Sequence, residues 1–249
     1  MMRDNVFLVS LIVALAAGIA IARDLPEFIH VCNRNQPDID ECVISSIETL
    51  KPHLKTGEPA YYIPSLEPLL LEELVAAEGT GIRVTARDIH VYGASDFTVD
   101  RMRVDLDNMR FAVDVKLPNI FINGFYEMDG KVLLLPIRGS GPISGNFTNC
   151  MGAVKLQAIQ QKGDDGQDYM HITDFKMKIA VGKGTLRLDN LFGGEAVLGE
   201  VINQAINSNF DAFLKELQPL VESALSEAFL DIANSILSQF TFQQLFPVA

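Results

Sequence analysis

Met109-Arg110-Phe111-Ala112-Val113-Asp114-Val115-Lys116-Leu117 sets an apolar side chain at every second position, with Arg110, Asp114 and Lys116 between them. Strand side chains point alternately to the two faces of a sheet, so this stretch has one dry face and one wet face. The same period extends to both sides. Upstream, Phe97 to Leu106 alternates with a slip at Asp100-Arg101, and Ile82, Val84 and Ala86 give way to Ile89 and Val91 one residue out of phase. A slip of one residue marks a β-bulge. Downstream, Ile120 to Met128 and Lys131 to Ile137 flank Asp129-Gly130, which predicts a hairpin turn there. Val154 to Gln160 and Asp168 to Val181 flank a second turn, Gly163-Asp164-Asp165-Gly166, with one slip in the later strand. Consecutive antiparallel strands with several bulges predict a strongly curved sheet.

Beyond the sheet the period changes. Leu198, Val201, Ile202, Ala205, Ile206, Phe210, Phe213, Leu214 and Leu217 recur every three or four residues, and Val221, Leu225, Ala228, Phe229, Ile232, Ile236 and Leu237 continue the stripe. A long amphipathic helix is predicted from Val197 to Phe240. Pro219 lacks an amide proton, so it is expected to kink or restart that helix. Ahead of the sheet, Ile39 to Leu54 reads as a helix with Val43, Ile44, Ile47 and Leu50 on one face. The proline-punctuated stretch from Gly57 to Pro68 then leads into a predicted helical turn at Leu69 to Val75. The expected class is α+β, a curved antiparallel sheet wrapped around an apolar helix.

Met1 to Asp4 carry one basic residue, and the apolar run from Val6 to Ile21 ends in Ala20-Ile21-Ala22. That pattern predicts a secretory signal over residues 1–22, cleaved after Ala22, followed by a single domain over 23–249. A secreted, extracellular protein is expected, with no later stretch apolar enough for stable membrane insertion. The net charge of −12 repels nucleic acid and anionic membranes. Of three cysteines, Cys32 and Cys42 stand close enough in sequence for a bridge that would stabilise by about 3 kcal/mol. Cys150 is left as a buried thiol or a site of intermolecular pairing. Two cysteines without a neighbouring pair of histidines do not make a zinc ligand set, and no metal or cofactor is expected. Asn146-Phe147-Thr148 is a glycosylation sequon.

No catalytic constellation emerges. Serine hydrolysis wants a Gly-x-Ser-x-Gly elbow, and Gly141-Pro142-Ile143-Ser144-Gly145 has the wrong spacing. His30, His53, His90 and His171 are scattered without a local nucleophile or second ligand. Gly139 to Gly145 lacks the lysine and helix start of a phosphate loop. The chain therefore reads as a binding protein rather than an enzyme. Phe111, Val113, Leu117, Phe121, Phe125 and Leu133 from the sheet are expected to line the interior with Leu198, Ile202, Ile206, Phe210 and Phe213 from the helix. A lipid-transfer protein that docks on anionic membranes would want a basic surface, and a protein-interaction module is the further alternative.

Several short stretches together resemble one family. They are Cys32 to Cys42, Tyr62-Ile63-Pro64-Ser65-Leu66-Glu67-Pro68-Leu69, Leu117-Pro118 with Gly124-Phe125-Tyr126, and Leu135-Pro136-Ile137-Arg138-Gly139-Ser140-Gly141. Asn190-Leu191-Phe192-Gly193-Gly194, Asn203 to Phe210 and Leu245-Phe246-Pro247 complete the set. In this order they are similar to the insect takeout and haemolymph juvenile-hormone-binding family, and the single cysteine pair resembles the takeout branch. Phe210 stands where the family commonly has tryptophan, and the chain has no tryptophan. The resemblance implies a tubular lipid-binding fold with an elongated apolar tunnel. A carrier of a small hydrophobic ligand, terpenoid or fatty-acyl, is expected, acting as a monomer.

Overall fold

The computed structural model describes residues 23–77, 82–132 and 135–248; the predicted signal segment and Leu133 lie outside them. Helix α1 (Ile39–Thr56) precedes strands β1 (Leu69–Ala77), β2 (Arg83–Tyr92), β3 (Thr98–Asp105), β4 (Arg110–Val132), β5 (Leu135–Lys162), β6 (Asp168–Ala180) and β7 (Lys183–Leu188). Helices α2 (Ala196–Ser208), α3 (Phe210–Leu237) and α4 (Phe242–Leu245) follow. The seven strands form one antiparallel sheet in the order β1-β2-β4-β5-β6, with β3 on β4 and β7 on β5.

All three phase slips in the sequence are irregularities of pairing. Register shifts fall between Arg87 and His90, between Val99 and Arg101, and opposite Gln157 and Ala158, where Thr173 is left unpaired. Two turn and element readings change. Leu69 to Val75 is part of strand β1, because Leu69 and Leu71 are buried while Leu70 faces out, and the ladder with β2 outweighs the helix propensity of Leu, Glu and Ala. Asp129-Gly130 is not the turn: the ladder runs through it, Asp129 opposite Arg138 and Gly130 opposite Ile137, as far as Val132 and Leu135. The C-terminal helix breaks at Asn209 (φ −126°, ψ 35°) and continues through Pro219.

The long β4–β5 hairpin is the spine of the sheet, and it has two halves. Between Leu117–Cys150 and Asn119–Thr148, Pro118 and Asn149 face each other without a ladder pair, and Asn149 is left-handed (φ 54°). Phe111 in β4 and Val154, Leu156 and Ala158 in β5 pack inward on one side of this point; Ile122, Tyr126 and Met128 with Ile137 and Ile143 do so on the other. The inward-facing set changes parity in both strands. The outer neighbours change there as well: β3 and β6 flank the first half, β2 and β7 the second.

Helix α3 runs along the concave side, against β1 and β6, the two ends of the strand order. The β6/β7 edge is closed by side chains of the helices. Asn203 and Asn207 each bond both backbone groups of Leu188 and Leu186 respectively, at 2.8–2.9 Å. Gln218 and Glu222 take the carbonyl and N–H of Ile179, Ser226 accepts from Met177 N–H, and Asn234 takes both groups of Ile172. Edge backbone that would otherwise be unpaired is satisfied without an eighth strand.

Candidate functional site

Three apolar clusters are strung along α3. The first gathers Tyr126, Met128, Val132, Ile137, Leu188 and Leu191 with Ile202, Ile206, Phe213 and Leu217. The second holds Leu69, Leu71 and Ile89, with Leu225, Ala228 and Phe229 of the helix against them. The third joins Met109, Ala158 and Ile172 to Phe242 and Phe246, with Leu230, Ala233 and Leu237 alongside. Ile143 touches both the first and second clusters. The rings of Phe229 and Phe175 stack at 6.3 Å to connect the second with the third. An apolar track therefore runs the length of the helix.

Its filling is uneven. At the α2 end Ile202, Ile206, Phe213 and Leu217 are buried. Further along, Leu220, Val221, Leu225, Ala228, Phe229, Leu230, Ile232, Ala233, Ile236 and Leu237 are all only half-buried; of the later helix Glu222 and Ala224 are the buried residues. Close-packed interiors bury such side chains. The far end is covered by the segments flanking α1: Arg34 donates to the Phe246 carbonyl and lies over the Phe242 ring, while Tyr61 stacks on Phe240.

Of the expected lining, Phe111, Val113 and Leu117 are half-buried, with Phe111 in the third cluster. Ile202, Ile206, Phe210 and Phe213 are buried at the α2 end, Phe210 against Phe147 and above Gly184, where a Cβ would stand 2.2 Å from its ring. Phe121, Phe125 and Leu198 are corrections: they are 42%, 56% and 43% exposed. The two phenylalanines share the parity of Phe111 but lie beyond the Pro118–Asn149 crossover, which turns them outward. The expected lining stops at Phe213, while the half-buried apolar residues of α3 beyond Leu217 continue the same helical stripe.

Polar groups around the track are satisfied. Tyr126 donates to the Asp189 carbonyl at 2.8 Å, and burial followed by the nearby Asp189 charge pushes its pKa up to about 12. Burial also raises the Cys150 thiol, which is half-buried. Cys32 and Cys42 are disulfide-bonded, so the grouping of His30 with these two sulfurs leaves only the imidazole as a donor. The histidines stand apart: His53 on Glu58, His90 on the Asp88 carbonyl, His171 exposed on β6. No helix among the described residues is long and apolar enough to cross a membrane.

The chain is 24% identical to the Drosophila melanogaster circadian clock-controlled protein daywake over 221 residues, 83% of this chain and 84% of that one. It is 24% identical over 220 residues, 88% of each chain, to a Schistocerca gregaria protein provisionally named as beta-carotene-binding. The crystal structure of Epiphyas postvittana Takeout 1 has the same fold, with a TM-score of 0.73, 20% identity and coverage of 88% of this chain and 99% of that one. The model of the haemolymph juvenile hormone binding protein (JHBP) family matches residues 8–247, and the chain belongs to that family.

Proposed function

We propose that this protein is a secreted carrier that holds a small hydrophobic ligand in an apolar lumen between the concave sheet and α3. The observation that carries the reading is the row of half-buried apolar residues from Leu220 to Leu237, on a helix face that a filled core would seal. The naming of the Schistocerca relative for a carotenoid supports an elongated isoprenoid or acyl chain. No charged clamp is required. A ligand burying roughly 400 Å² of apolar surface gains about 10 kcal/mol, from which the lost freedom of the ligand is subtracted, leaving micromolar affinity or better. The disulfide and the apolar leader suit an oxidising, extracellular setting. The protein would act as a monomer, with ligand identity set by lumen length.

The test is displacement of N-phenyl-1-naphthylamine fluorescence by a C15 isoprenoid ester and a C18 acyl ester, paired with native mass spectrometry of the purified protein. One-to-one saturable displacement is expected. Absence of any bound lipid, together with no probe binding, would refute carriage; turnover of either ester would make the protein an enzyme.

A further inference from the structure

The outward half of β4 leaves an aromatic surface that the lumen does not use. Phe121 is 42% exposed and its ring lies 5.9 Å from that of Tyr92, its cross-strand partner on β2. On its other side, Phe121 stands directly opposite Asn146 of β5. Directly opposed residues of an antiparallel pair project from the same face, their Cβ atoms about 5 Å apart. Asn146 is exposed and opens the sequon Asn146-Phe147-Thr148. The middle residue fixes the orientation: Phe147 points inward against Phe210, at 6.0 Å, so Asn146 and Thr148 point outward. Thr185, opposite Asn146 on β7, is exposed and short, and an open groove of about 780 Å³ lies beyond it.

We infer that Asn146 carries an N-linked glycan whose first N-acetylglucosamine lies flat over the Phe121–Tyr92 aromatic surface. The inference rests on the secretion reading above, because the donor is a lipid-diphosphate-linked oligosaccharide of the secretory pathway. The new bond joins Asn146 Nδ2 to C1 of the sugar, and the C1–O bond to the diphosphate breaks. The diphosphate leaves with the electron pair and the amide gives up one proton. The axial C–H groups of the sugar then meet the electron-rich ring face, and apolar surface that the fold leaves wet is covered.

The test uses the full chain secreted from cells held at high-mannose glycans, in the natural sequence and as Phe121→Leu, which keeps an apolar side chain but removes the ring. Each is compared intact, trimmed by an endoglycosidase to a single sugar, and as Asn146→Gln. Trimming is expected to leave Tm unchanged, and Asn146→Gln to lower it by about 2 °C. In the Phe121→Leu background that step vanishes, the coupling expected of two groups in contact. Protein in the medium with the bare polypeptide mass would overturn the glycan while leaving secretion intact. An equal Tm step in both backgrounds, or none in either, would overturn the aromatic contact. Retention of all protein inside the cells with the bare polypeptide mass would overturn secretion and the glycan together.

Discussion

Asn203 of α2 holds Leu188 of β7 by both of its backbone groups: its side-chain carbonyl accepts the Leu188 N–H and its amide donates to the Leu188 carbonyl, each at 2.9 Å. A strand would make the same two bonds. Helix positions 203, 207, 218, 222, 226 and 234 repeat the contact in whole or part along the β6/β7 edge, so the polar stripe of the helices fastens it to the sheet while the apolar stripe faces inward.

Asn203→Leu is the sharpest test of this fastening. Leucine preserves helix propensity, but both backbone groups of buried Leu188 lose their partner. Leaving two such groups unsatisfied costs about 2–4 kcal/mol, a fall in Tm on the order of 5–12 °C. Urea unfolding checks it: a midpoint equal to that of the natural protein would show that the bonds do not hold the edge.

Glu222 makes the fastening sensitive to acid. Burial acts to raise its pKa, but hydrogen bonds from Lys178, Gln218 and the Ile179 N–H, with the Lys178 charge, outweigh burial and hold it below the ordinary carboxylate range. A carboxyl depressed in the folded state contributes stability that is whole above its unfolded pKa of about 4.3 and lost as pH falls through the lower folded value. Glu222→Gln keeps an acceptor for Ile179 and removes the titration. Its denaturation midpoint should therefore decline less steeply than that of the natural protein on acidification below about pH 4.3. Parallel declines would reject the assignment.

Tyr126 has the opposite sign. Its hydroxyl stays protonated in the fold to about pH 12, so its contribution is complete below the unfolded value of about 10 and lost as pH rises from there. Tyr126→Phe removes the bond to the Asp189 carbonyl at a cost of about 1 kcal/mol. In an alkaline absorbance titration of the five tyrosines, the variant should lack part of the last-ionising component. An unchanged late component would place that titration elsewhere.

Much of the sheet is legible in the chain because bulges disturb a period of two visibly; Asp88, Asp100 and Thr173 sit at or beside phase slips and at register shifts. Strand β1 is not, since Leu69 to Val75 has the composition of a helix and only pairing with β2 decides it. The Pro118–Asn149 crossover is harder still. From Ile120 to Tyr126 both parities carry large apolar groups, Ile120, Ile122 and Tyr126 against Phe121 and Phe125, so alternation alone does not say which set faces α3. The helical half of the site is clearer in outline than in detail: its stripe is evident, but which part packs solid and which part borders open space depends on how far the sheet closes over it.

Ala228→Phe separates a hollow track from a filled one. Ala228 is half-buried on α3 beside Leu69, Leu71 and Ile89, near the middle of the three clusters. If the space in front of it is open, an added ring occupies the lumen without displacing neighbours. Affinity for a C18 acyl ester should then fall at least tenfold, about 1.4 kcal/mol, with Tm unchanged or raised. A shorter C10 ester should lose less, because one side of the blockade remains free. In a solid core the same ring forces its neighbours apart, and overpacking costs about 1–3 kcal/mol of stability. A Tm lowered by several degrees with unchanged affinity for both esters would show that this part of the helix faces packed side chains and not a ligand.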